Sequence, residues 1–225
     1  MSQAYLPEGS LYFPESLDEI HQHRNWKGRL SKPPAQFSSE AQGDAACRRE
    51  ALTMNIFCHP QLSQWDGLKM LLGCTDLTPN LFVEAPLDRS DRSDDPTTVD
   101  LAIDDAFCQS SLSEKHFTEQ PLAAIERYAH FDQVFGATRL PRRDDKLLNA
   151  RVIRNLLAAS QYEMRYILFC DRHRTDLLDA YQVTIDCLKD DKFRRRCRVV
   201  FWQDLLQVVD PDLSMFVRTR FGLLA

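Results

Sequence analysis

Thr97-Thr98-Val99-Asp100-Leu101-Ala102-Ile103 is the stretch whose reading decides the fold. It is rich in β-branched residues and alternates, with Val99, Leu101 and Ile103 on one face and Asp100 and Ala102 on the other, the period-two pattern of a half-buried strand. Asp104-Asp105 follows as a turn, and the run from about Phe107 to His116 reads as a second strand, so the two form a hairpin. Ser110, Ser111 and Ser113 give that second strand a low intrinsic propensity.

On the C-terminal side of the hairpin, Pro121 opens a helix carrying Leu122, Ile125, Tyr128 and Ala129 at helical spacing. Leu147 to Ala159 is a stronger helix, with Leu148, Val152, Leu156 and Ala159 inward and Arg151, Arg154 and Asn155 toward solvent. Tyr166 to Cys170 reads as a buried strand, Leu177 to Leu188 as a helix, and Val199 to Trp202 as a strand leading into a helix over Gln203 to Val209. On the N-terminal side lie a short apolar run at Leu81–Glu84 and a polar loop from Asp88 to Pro96. Before them come a short amphipathic helix over Trp65, Leu68, Leu71 and Leu72 stopped by Gly73, and a helix from Asp44 to Pro60. Residues 1–43, broken by Pro7, Pro14, Pro33 and Pro34, read as an irregular arm with at most a short helix near Ser16 to His23; residues 44–225 form the domain. Such alternation of helices and strands predicts an α/β fold, a mixed central β-sheet flanked by helices on both faces.

Composition narrows the function classes. At 225 residues the chain can bury a real core around one active centre. No apolar run approaches a membrane-spanning length and the first ten residues lack the pattern of an export signal. Seven cysteines, odd in number and without a Cys-x-x-Cys pair, read as free thiols, which places the protein in a reducing cytoplasm. Trp26, Trp65 and Trp202 read as core or cover residues rather than base-stacking platforms. The net charge of -5 hides a split: residues 138–198 hold 15 Lys and Arg against 9 Asp and Glu, while the remainder holds 13 against 24. An acidic part beside a basic part suits a metal centre next to a phosphate-binding surface, and equally suits solvated helix faces.

Carboxylates that converge on Mg²⁺ or Mn²⁺ let the ion activate water and offset charge building on a phosphate. Asp100 lies on the first strand, and Glu114 and His116 are i and i+2 on the second, so all three are expected to face one pocket. Pro96-Thr97-Thr98-Val99-Asp100-Leu101 followed by Glu114-Lys115-His116-Phe117-Thr118-Glu119 resembles the restriction-endonuclease-like PD-(D/E)XK nuclease superfamily, its smaller bacterial members in particular. The resemblance implies that Asp100 and Glu114 bind the metal, that His116 occupies the position of the lysine that orders the attacking water, and that Glu50 is the acidic residue of the first core helix facing the site. Lys115 stands one position early and should face the other way; Lys146 is the nearest substitute. Arg142, Arg143, Lys146, Arg151 and Arg154 could hold phosphates of a DNA partner.

The resemblance thus implies a divalent-metal-dependent nuclease hydrolysing phosphodiester bonds in DNA. The alternative is a catalytically degenerate nuclease fold that binds nucleic acid or a protein partner, which His116 in the lysine position favours. A homodimer or a larger assembly stays open at this point.

Overall fold

The computed structural model of the chain describes residues 11–30, 40–90, 97–114 and 116–224. Helices α1 (Pro14–Gln22), α2 (Arg24–Leu30), α3 (Glu40–Phe57) and α4 (Asp66–Leu72) come first. Next are β1 (Pro79–Glu84), β2 (Thr98–Ile103), β3 (Ala106–Ser110), β4 (Gln120–Pro121), α5 (Leu122–Ile125), α6 (Phe131–Val134), β5 (Arg142–Arg143) and β6 (Lys146–Leu147). The chain continues through α7 (Ala150–Gln161), β7 (Arg165–Cys170), α8 (Thr175–Ile185), α9 (Asp191–Arg195), β8 (Cys197–Phe201), α10 (Trp202–Leu205) and α11 (Pro211–Phe221).

The main sheet has five strands in the order β1-β2-β3-β7-β8. The first three pair antiparallel, and β3, β7 and β8 pair parallel. Parallel neighbours need long crossovers, and α7 and then α8 with α9 supply them. Alternation then sorts the side chains into two layers. Phe107, Tyr166 and Leu168 pack with Val152, Leu156 and Leu177 on one face. Leu101, Ile103, Ile167 and Phe169 pack with Leu52, Ile56, Leu68 and Leu213 on the other. The sheet is mixed and carries helices on both faces, as the alternating pattern predicts. Among the described residues no helix is long and apolar enough to cross a membrane, and no cysteine is in a disulfide.

Several expectations need correction. β3 ends at Ser110 rather than running to His116. Two interactions turn the chain out of the sheet there: Glu114 folds back so that Oε2 accepts from the Leu112 amide at 2.7 Å, and Arg174 donates to the Leu112 carbonyl at 3.0 Å. The helix after Pro121 is one turn long, Leu147 belongs to a three-stranded sheet of β4, β6 and β5, and Trp202 starts a helix instead of ending a strand. Asn155 is buried, because Gln109 below it offers a carbonyl acceptor at 2.8 Å. The N-terminal arm is helical over its described part. Phe13 and Leu11 bond the Asn55 side chain at 2.6 and 2.8 Å, and Ser16 donates to the Asn55 carbonyl at 2.6 Å, seating α1 on α3.

Candidate active site

β2 and β3 hold one another only from Ile103↔Ala106 to Leu101↔Cys108, yet β2 stays paired with β1 as far as Thr98 and β3 with β7 as far as Ser110. The two strands therefore splay apart beyond Leu101 and make a fork. Asp100 sits in it, 7% exposed, and its Oδ2 accepts from the Ser110 amide at 2.7 Å, an N–H that the missing ladder leaves without a strand partner. The neighbouring strand helps to expose this face. Phe82 has φ of 53°, a costly conformation for a bulky residue, and falls between the register pairs Leu81↔Leu101 and Val83↔Val99. It packs with Ile20, Met54 and Cys58, under the Arg29 guanidinium at 4.4 Å from the ring.

Helices from both faces reach the fork. Arg151, in the first turn of α7, places one terminal nitrogen 2.5 Å from Asp100 Oδ2 and the other 3.5 Å from Glu114 Oε1. Arg49, from α3, donates to Glu114 Oε1 at 2.8 Å. Burial works against the Arg49 charge, but the carboxylates of Asp100 and Glu114 outweigh it and hold this guanidinium above its ordinary pKa. Glu114 arrives on the loop 111–114, which is pinned by Trp202 Nε1 donating to the Ser111 carbonyl at 2.8 Å and by Arg174 donating to the carbonyls of Leu112 and Glu114.

Glu50 completes the acid group. It is half-buried and makes no hydrogen bond or ion pair with a described residue. Burial pushes its carboxyl above the usual range; Arg49 pulls it down, and the Asp100 charge adds to the rise. The sequence-predicted acids Glu50, Asp100 and Glu114 thus share one neighbourhood. His116 does not join them: it is exposed, off the strand, with Nδ1 against the Phe117 carbonyl at 3.0 Å. Lys115 lies outside the described residues. Of the basic residues, Arg151 faces the acids, and Arg154 bonds Thr97 Oγ1 at 2.7 Å. Arg142 bonds the Ala137 carbonyl, Arg143 pairs with Glu119, and both lie with the exposed Lys146 on the small sheet.

Gln109 and Ser111 are the residues that sequence reasoning missed. With the ladder in register, Gln109 is the β3 residue next after Cys108 and faces the α7 side with Asp100, and Ser111 is two further on. Gln109 Oε1 accepts from Asn155 and from the Tyr166 hydroxyl at 2.8 and 2.7 Å, which fixes the amide and leaves Nε2 fully buried without an acceptor. Ser111 Oγ is likewise buried without a partner. Neither orphan has a partner among the described residues, and each could take a water or a phosphate oxygen. The alternation Gln109, Ser111 was visible in the sequence, but assigning it required the register.

Among the described residues no three His, Cys, Asp or Glu side chains stand close enough together to hold a metal ion. The spacing is that of two carboxylates around a guanidinium. The donor chemistry nonetheless fits a hard divalent ion in kind: carboxylate oxygens, with Glu50 in no hydrogen bond or ion pair with a described residue and Asp100 Oδ1 taking no hydrogen bond from one.

Residues 50–221 match the model of a protein family described as "Restriction Endonuclease associating with ARP". No curated protein and no solved structure matches the chain.

Proposed function

Because the chain belongs to the family of restriction endonucleases associating with ARP, we propose that it is a nuclease that hydrolyses phosphodiester bonds in DNA with the help of Mg²⁺ or Mn²⁺. The observation that carries the reading is the convergence of Asp100 and Glu114 on one guanidinium at the strand fork, with the half-buried Glu50 beside them. Asp100, Glu114 and Glu50 would hold the ion, which supplies an activated water and neutralises charge on the phosphate. Asp100 is held by the Ser110 amide, and Glu114 by the Leu112 amide and Arg49, so both carboxylates keep their aim without a ligand. Gln109 Nε2 and Ser111 Oγ are donors for a water or phosphate oxygen on the Asp100 face. Arg142, Arg143 and Lys146 on the small sheet would bind the DNA backbone. The family's description names association with ARP, and a protein partner of that kind belongs to the proposal.

Plasmid nicking with Mg²⁺ or Mn²⁺ tests it. Wild type should cut and Asp100→Asn should not; cutting that survives Asp100→Asn refutes the assignment. A second reading rests on a specific observation, the neutral Gln109 and Ser111 on the strand face of Asp100 with His116 turned away. It makes the chain a nuclease fold that binds DNA or a protein without cutting. That reading expects salt-dependent gel shifts with no nicking at any pH between 6 and 9.

A further inference from the structure

We propose that Arg151 is the resident counter-ion of the Asp100–Glu114 pair, occupying the place of the divalent ion, and that metal binds there only as this guanidinium is displaced. The proposal takes the identity of the ion from the nuclease reading. Its own basis is the bridging geometry: one cation touches both carboxylates, at 2.5 and 3.5 Å, as a shared metal ion would.

The two arginines of the centre differ in how they are held. Among the described carboxylates Arg49 contacts Glu114 alone, and its Nε is enclosed with no partner among the described residues, so it is built into the wall. Arg151 has a fifth of its side chain exposed and makes no hydrogen bond with a described residue other than those to the acids. Leaving the acids costs it no other contact of that kind, and its long side chain can carry the head group outward.

Charge arithmetic gives the exchange its sense. Asp100 and Glu114 are balanced by Arg49 and Arg151; with Arg151 withdrawn, the pair keeps one negative charge in excess, which an entering cation meets. The displaced guanidinium is then free for a phosphate, to which its planar fork binds in bidentate fashion. Arg151 is thus a positioning residue that passes from carboxylates to the nucleic-acid backbone as the ion enters.

Titration of the full chain with Mn²⁺ alone, followed by the paramagnetic resonance signal of the free ion, tests this without any cutting assay. Arg151→Gln should bind Mn²⁺ at least about tenfold more tightly than wild type, the ratio that 1.4 kcal/mol produces. Arg154→Gln removes the same charge one turn along α7 from a residue that bonds Thr97, and should change the affinity far less. Asp100→Asn on the Arg151→Gln background should abolish the gain. Equal or weaker binding by Arg151→Gln, an equal gain by Arg154→Gln, or no Mn²⁺ binding by any variant overturns the proposal. Thermal melts establish that each variant is folded, and Arg151→Met serves if Arg151→Gln is not. A variant that gains affinity yet cuts no plasmid counts against the nuclease reading and leaves Arg151 as the counter-ion; one that gains nothing while wild type cuts does the reverse.

Discussion

Replacing Asp100 should destabilise the fold through two separable losses. Asp100→Ala leaves the buried Ser110 N–H without its acceptor, about 1–3 kcal/mol for an orphaned donor. It also removes the short contact to Arg151. Exposed ion pairs contribute roughly 0.2–1 kcal/mol, and stripping one partner from a fully buried pair costs about 3–5 kcal/mol. Side-chain exposures of 10% for Asp100 and 20% for Arg151 place this pair between those limits. Some of the loss is offset, because Asp100 also repels the Glu50 carboxylate. We expect about 2–4 kcal/mol for Asp100→Ala, and about 1–2 kcal/mol for Asp100→Asn, whose amide oxygen can still receive the Ser110 N–H. Urea denaturation of wild type, Asp100→Asn, Arg151→Gln and the double variant gives the coupling between the two side chains. A coupling indistinguishable from zero, or an Asp100→Ala variant within about 0.5 kcal/mol of wild type, would refute both the buried bridge and the place given to Arg151.

Glu50 carries a pH signature. Its folded-state pKa is raised above the ordinary 4.5, so its favourable contribution is present below that value and is lost as pH rises through the folded pKa. Glu50→Gln should therefore raise the melting temperature at pH 7, with the difference vanishing below about pH 4.5 in parallel melts. Gln109→Leu strands the Asn155 amide and the Tyr166 hydroxyl, and should cost about 2–4 kcal/mol in denaturant titrations, since each buried orphan costs about 1–3 kcal/mol. Gly73→Ala should cost on the order of 1 kcal/mol by the same measurement, because Gly73 closes α4 at φ of 62° and its would-be Cβ meets the Arg165 and Arg198 guanidiniums only at ordinary contact distance.

What the sequence revealed follows the range of the interactions involved. The strand at 98–103, its Asp104-Asp105 turn, and the helices carrying Leu52 and Leu156 rest on local periodicity, and they stand where the periodicity places them. The end of β3 does not, because it is set by Arg174 from across the sheet and by the Glu114 side chain reaching back two residues. For that reason Glu114 was legible as an acid near Asp100 but His116 was misplaced: the strand alternation that coupled them stops at Ser110. Arg151 was read as solvent-facing from its helix position, and only the fork between β2 and β3 gives it carboxylates to face. The turned-out Phe82 left no mark at all in the apolar run Leu81 to Glu84.

The charge network at the fork draws on distant parts of the chain. Arg49 lies 65 residues before Glu114, and Arg151 lies 51 residues after Asp100. A fragment holding only residues 97–114 contains both carboxylates and neither arginine. Truncation from either end past α3 or α7 therefore removes one of these arginines but keeps Asp100 and Glu114, so the paired centre exists only in the assembled domain, and shortened versions of this protein inherit a repulsive patch where the whole chain has a closed circuit of charge.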